Sequence, residues 1–154
     1  MPKIDKAAVP ETSGSRYPAP FDEPCRKRTV QRLGDAAGLT QFGFNSVRLP
    51  PGVWSSQRHW HSHEDEFVYV LEGEVVLITD AGDERLVAGD CAGFKAGDRN
   101  GHHFQNRSSE EAVLLVVGSR SHEDHGEYSD IDMIFTEGRY AARGSYRHKD
   151  GTKY

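Results

Sequence analysis

The sequence predicts an all-β fold, and three observations carry that reading. From about Thr29 onward, short runs of β-branched and aromatic residues are separated by Gly, Asp or Pro, which is the spacing of strands and turns. No stretch keeps helical spacing over three turns, so any helix is short and peripheral. The breaks are themselves turn chemistry: "PPG" at 50–52, "DAGD" at 80–83, "AGD" at 88–90 and "AGDRNG" at 96–101, where Gly supplies a positive φ and Pro a fixed one.

Taken in order, residues 1–28 are rich in Pro, Ser and charge with no apolar periodicity, and read as an extended or disordered N-terminal arm. Strands are expected at 29–33, 39–49, 55–61, 66–71, 74–79, 84–87, 91–94, 102–106, 112–118 and 131–135. Together they form one β-domain over 29–136. The segment 137–154 is polar and broken by Gly, a tail that hugs the surface or is disordered. At 154 residues and 17.2 kDa the chain has the size of a single domain with a real core.

Nineteen Lys and Arg against 24 Asp and Glu give a net charge of -5, which disfavours nucleic acid and anionic membrane surfaces as partners. Cys25 and Cys91 lie far apart without a CxxC spacing, and no N-terminal apolar segment precedes a cleavage site; a reducing cytoplasm is the simplest location. The longest apolar runs, 75–78 and 112–118, fall far short of the roughly 20 residues of a membrane helix.

The chemistry concentrates in "RHWHSHEDEFVYVLEG", residues 58–73. His59 and His61 alternate around Trp60 at strand period, which puts both imidazoles on one face about 7 Å apart along the strand. A short turn lets Glu66 begin the next strand facing the same way, with Val68 and Val70 following it inward. Two imidazoles and a carboxylate on one face suit a first-row divalent cation with positions left open for water or substrate.

Gly52, His59, His61, Glu66 and Gly73 resemble the first motif of the cupin superfamily, with Gly52 one residue further upstream than that pattern asks. Gly89, Lys95, Gly97, His102 and Asn106 resemble the second, with Lys95 in place of proline and four residues, "DRNG", where two are usual. The resemblance implies a double-stranded β-helix, or jelly-roll barrel. It implies one divalent ion (Fe, Mn, Zn or Ni) held by His59, His61, Glu66 and His102, with Glu66 also the catalytic residue. His103 is the alternative to His102, and Asn106 is expected to orient groups behind the ligands. Starting the motif at His61 and His63 leaves only two residues before Glu66, so His63 is read as solvated or behind the ligands.

His122 and His125 in "SHEDHGEY" lack a convincing third ligand and read as a solvated loop. Cys91 reads as a buried structural cysteine. Trp54, Trp60, Phe42, Phe44 and Phe94 line a pocket or fill the core, and Arg48 and Arg58 either greet an anionic substrate or cap the surface. The functional expectation is a metal-dependent enzyme, of dioxygenase, isomerase or lyase type, acting on a small oxygenated compound. Its alternative is a non-catalytic module that binds or senses a small molecule. Strand edges and the long arm also predict a homodimer.

Overall fold

The computed structural model describes residues 3–138 and 146–154. Twelve strands form among the described residues, all paired antiparallel. They are β1 (Glu11–Ser13), β2 (Thr29–Arg32), β3 (Phe42–Leu49), β4 (Glu66–Glu72), β5 (Glu74–Thr79), β6 (Gly82–Val87), β7 (Cys91–Phe94), β8 (His103–Gln105), β9 (Ala112–Ser119), β10 (Gly126–Tyr128), β11 (Met133–Phe135) and β12 (Tyr146–Arg147). A one-turn helix, Leu33–Ala36, and two 3₁₀ turns, Lys6–Ala8 and Glu23–Cys25, complete the elements.

A six-stranded sheet runs β1-β2-β3-β9-β4-β7, and a three-stranded sheet runs β6-β5-β8. Their inward residues meet in one core, with Val47 and Leu49 of β3, Val68 and Val70 of β4 and Leu114 of β9 packing with Val75 and Leu77 of β5, Leu86 of β6 and Phe104 of β8. The period-two pattern of "EFVYVL" sets the faces of β4: Glu66, Val68 and Val70 turn inward, while Phe67, Tyr69 and Leu71 remain exposed. Gly73 turns β4 into β5 at φ 74°, and a Cβ there would lie 2.6 Å from the carbonyl oxygen of Glu111, so the hairpin requires glycine.

The arm is ordered over its described residues. Its strand β1 pairs with β2 and covers that edge of the large sheet, and Gln31 Nε2 donates to the carbonyls of Lys6 and Val9. A third sheet, β10-β11-β12, carries a second apolar cluster in which Tyr128, Met133 and Phe135 receive Tyr17 and Phe21 from the arm. The tail thus pairs at Tyr146–Arg147, while the expected tail residues 139–145 lie outside the described residues.

Two expected strands change. The strand expected at 39–49 starts at Phe42, because Leu33–Ala36 coils as a helix and Ala37 to Gln41 connect it. The strand expected at 55–61 does not form. Ser55, Ser56 and Gln57 bend the chain, and only isolated bridges remain, Trp54 with Gln105 and His59 with both His102 and Tyr128. Cys91 is exposed, not buried, because β7 is the edge strand of its sheet and Cys91 takes the outward face beside Tyr69; Cys25 is the buried thiol.

Candidate metal centre

The extended segment around His59 is stitched between two neighbours instead of belonging to a ladder. His59 exchanges backbone hydrogen bonds with His102 (3.2 and 2.9 Å) on one side, and on the other Trp60 N–H donates to the Glu127 carbonyl (3.3 Å) and Ser62 N–H to the His125 carbonyl (2.9 Å). Alternation survives the loss of the strand, so His59 and His61 still face one way. Gly126 permits this contact: a Cβ there would collide with the Trp60 carbonyl and the Phe135 ring.

His59, His61 and Glu66 each offer a ligand atom, all within 4.8 Å of one another. Nε2 of His61 lies 3.6 Å from one Glu66 oxygen, and Nε2 of His102 lies 3.8 Å from the other. The structure therefore brings all four sequence-predicted residues together. His102, buried, is stacked flat on Phe94 with ring centroids 3.5 Å apart, and neither of its nitrogens has a hydrogen-bond partner among the described residues. His103 faces elsewhere, its Nδ1 on the Ser56 carbonyl at 2.9 Å and its ring edge-on to Trp54.

The protons in the pair are fixed by what lies behind it. Nδ1 of His59 faces the Gln57 carbonyl at 2.8 Å, and Nδ1 of His61 faces an oxygen of the fully buried Asp124 at 2.8 Å. Both partners are acceptors, so both Nδ1 atoms donate, and in the neutral form of each ring Nε2 is the atom able to take an ion. These Nε2 atoms are 3.1 Å apart. Two lone pairs at that distance repel unless a proton or a cation lies between them. Burial, followed by His61 and His102 nearby, holds the pKa of His59 well below its ordinary value. Two nitrogens bound at about 2.1 Å to one ion at right angles would lie about 3 Å apart. For Glu66, burial opposes the charge, yet the imidazoles of His102 and His61 outweigh it and hold the carboxyl well below its usual range. The donor set fits a divalent cation.

Two carboxylates here were not expected from the sequence. Asp124, between the dismissed His122 and His125, bonds His61, the His63 N–H (3.0 Å) and the Ser62 hydroxyl (3.4 Å). Glu64 is buried and accepts from the Ser121 N–H at 2.8 Å. His63, His122 and His125 are exposed, as expected. Other assignments fail. Asn106 is fully buried, but its Nδ2 clamps the carbonyls of Leu49 and Glu110 and its oxygen accepts from Ser108, so it closes a turn instead of serving the ligands. Arg58, by contrast, is bound by Asp130 at 2.7 and 2.9 Å and by Asp80, and Arg48 by Glu111, so both take the surface-capping alternative.

An antiparallel β-fold that gathers His-x-His, Glu and a more distant His at one inner face is a β-protein of the cupin type with a candidate metal site. Comparison with known proteins agrees. The Cupin domain family model matches residues 45–118. A sugar phosphate isomerase from a cupin superfamily, from Silicibacter pomeroyi, is 45% identical, covers 99% of this chain and 96% of its own, and superposes with a TM-score of 0.93. A candidate sugar phosphate isomerase from Acidithiobacillus ferrooxidans is 30% identical over 79% of this chain and 74% of its own, with a TM-score of 0.70. A polyketide cyclase from Streptomyces resistomycificus, 21% identical over 77% of this chain and 79% of its own, shares the fold with a TM-score of 0.61. No curated protein matches significantly. The chain belongs to the cupin superfamily, and its fold is all-β.

Proposed function

We propose that the protein is a divalent-metal-dependent isomerase acting on a small hydroxy-carbonyl compound, with a sugar phosphate as the substrate class. The observation that carries the metal is the facing pair of Nε2 atoms at 3.1 Å, each ring held from behind by an acceptor on its Nδ1. His59, His61, Glu66 and His102 would hold the ion, which is Fe, Mn, Zn or Ni. When bound, the ion supplies Lewis-acid polarisation of substrate oxygens. The names of the two structures at 45% and 30% identity support isomerisation over the oxidation and lyase alternatives.

The chain's own groups would do the rest. Glu66, held ionised among the imidazoles, is the proposed proton acceptor. It removes the proton from the carbon next to the carbonyl and returns it to the former carbonyl carbon, while the hydroxyl proton passes to the carbonyl oxygen, so that atoms and charge balance. Tyr128 and Phe135 lie against the His59 ring, 5.6 and 6.4 Å between centroids, and cover part of it. Among the described residues no helix is long and apolar enough to cross a membrane. Both cysteines are free thiols, which supports a reducing cytoplasm. Homodimerisation through the exposed Phe67, Tyr69 and Leu71 of β4 is part of the same proposal.

The test is an aldose-ketose interconversion assay on metal-loaded protein. Turnover should vanish with chelator, return with added ion, and fall at least about 100-fold in Glu66→Gln. Saturable binding of a sugar phosphate without product would favour a binding module instead.

A further inference from the structure

A cavity of about 610 Å³ is lined by His59, His61 and Glu66, and its wall also includes Arg16, Arg28 and Arg32. That volume lies within the usual range for small-molecule sites. The three arginines differ from most others in the chain. Arg26, Arg48, Arg58, Arg85, Arg107 and Arg120 each meet a carboxylate. Among the described residues, Arg16, Arg28 and Arg32 meet none. Arg28, half-buried, donates from Nε to the Gly14 carbonyl at 3.0 Å and from Nη1 to the Ser55 carbonyl. Arg32 donates to the Thr12 hydroxyl at 2.9 Å, and the side chain of the exposed Arg16 meets no partner among the described residues. Carbonyls and hydroxyls orient a guanidinium without neutralising it, so this part of the wall keeps its positive charge.

The acidic groups on the same wall are committed elsewhere. Asp35 pairs with Arg120, Glu64 accepts from Ser121 N–H, and Glu66 faces the imidazoles. One cavity is therefore lined both by a carboxylate with imidazoles and by guanidiniums that no carboxylate among the described residues neutralises. Concave low-dielectric walls concentrate such a field on a ligand.

We propose that Arg16, Arg28 and Arg32 form an anion subsite for the phosphate monoester end of the substrate, whose carbonyl end reaches His59, His61 and Glu66. The assignment of the reacting end rests on the function proposed above; the anion subsite rests on the arginines alone. Three guanidiniums from separate chain positions suit a tetrahedral dianion with several acceptor oxygens, whereas a planar carboxylate is satisfied by one bidentate arginine. The arm that carries Arg16 and Arg28 is then part of the binding wall, not a leader.

The experiment is calorimetric titration of the full chain with inorganic phosphate, with and without one equivalent of manganese. Phosphate should bind saturably in both conditions, and acetate should bind at least tenfold more weakly. Arg28→Met should weaken phosphate at least tenfold, Arg28→Lys should recover part of that loss, and Arg85→Met, outside the cavity, should leave it unchanged. Because Arg28 also ties Gly14 to Ser55, Arg16→Met is the second variant: its side chain holds no described residue, and it should weaken phosphate several-fold with an unchanged melting temperature. No phosphate binding by the wild type, wild-type binding by both Arg16→Met and Arg28→Met, or equal affinity for acetate overturns the subsite. Failure of the chain to bind manganese overturns the metal reading instead, and the metal-free titration still reads the arginines.

Discussion

Asp124 accepts a hydrogen bond from Nδ1 of His61 at 2.8 Å across 63 residues of sequence, and the carboxylate is wholly buried. One oxygen orients the imidazole, while the other takes the His63 N–H and the Ser62 hydroxyl. Asp124 thus sets the tautomer in which Nε2 is the atom able to take an ion. Asp124→Asn can donate to Nδ1 and reverse that tautomer. It should weaken metal binding about 10- to 100-fold, measured by competition with a chromophoric chelator, and an unchanged affinity would count against this role.

The metal-free protein should lose stability as the pH falls below about 6.5. His59 stays neutral when folded because of its burial and its imidazole neighbours, whereas the unfolded chain takes up its proton at the ordinary value of 6.5. The unfolded state then binds more protons and is favoured as the pH drops. Glu66, depressed when folded, adds a second loss as the pH falls below its ordinary value of 4.5 and on through its lower folded value. Melting temperatures between pH 8 and 4 check this, and His59→Gln should flatten the upper part of the curve.

Gly126→Ala should damage the site and the fold together. Its methyl group would strike the Trp60 carbonyl, between the two ligand-candidate histidines, and the Phe135 ring. Overpacking of this kind costs about 1–3 kcal/mol. Chemical denaturation should show that loss, with weakened metal binding, whereas Glu127→Ala, the exposed neighbour, should be close to neutral.

The outer face of β4 exposes Phe67, Tyr69 and Leu71 in a row, with Leu115 and Val117 of β9 in register beside Tyr69 and Phe67. Light scattering should give a dimer, and Tyr69→Asp should give a monomer that still binds its ion. A monomeric wild type removes the dimer.

The local part of this architecture was legible in the sequence. Alternation in "FVYVL" and the turn residues place β4, β5 and β7 to within a residue, and strand alternation together with the resemblance to the cupin motif selects His59, His61 and Glu66. What failed depends on distant partners. Residues 55–61 have strand-like composition, but no continuous ladder lies beside them, so the segment is held by single bridges. Asp124 sits in a polar run whose one buried carboxylate is identified only by the imidazole folded against it. Asn106 matched a family position, yet its amide is spent on the carbonyls of Leu49 and Glu110. Exposure of Cys91 follows from its edge position in the sheet, which composition does not reveal.

The most direct test of the centre is elemental analysis of protein purified without chelator or nickel resin, alongside the His59→Ala/His61→Ala double variant. The wild type should carry about one first-row divalent ion per chain and the folded double variant none. A wild type that takes up no ion even when one is supplied, or a double variant that keeps it, would contradict a centre built on the facing pair of imidazoles.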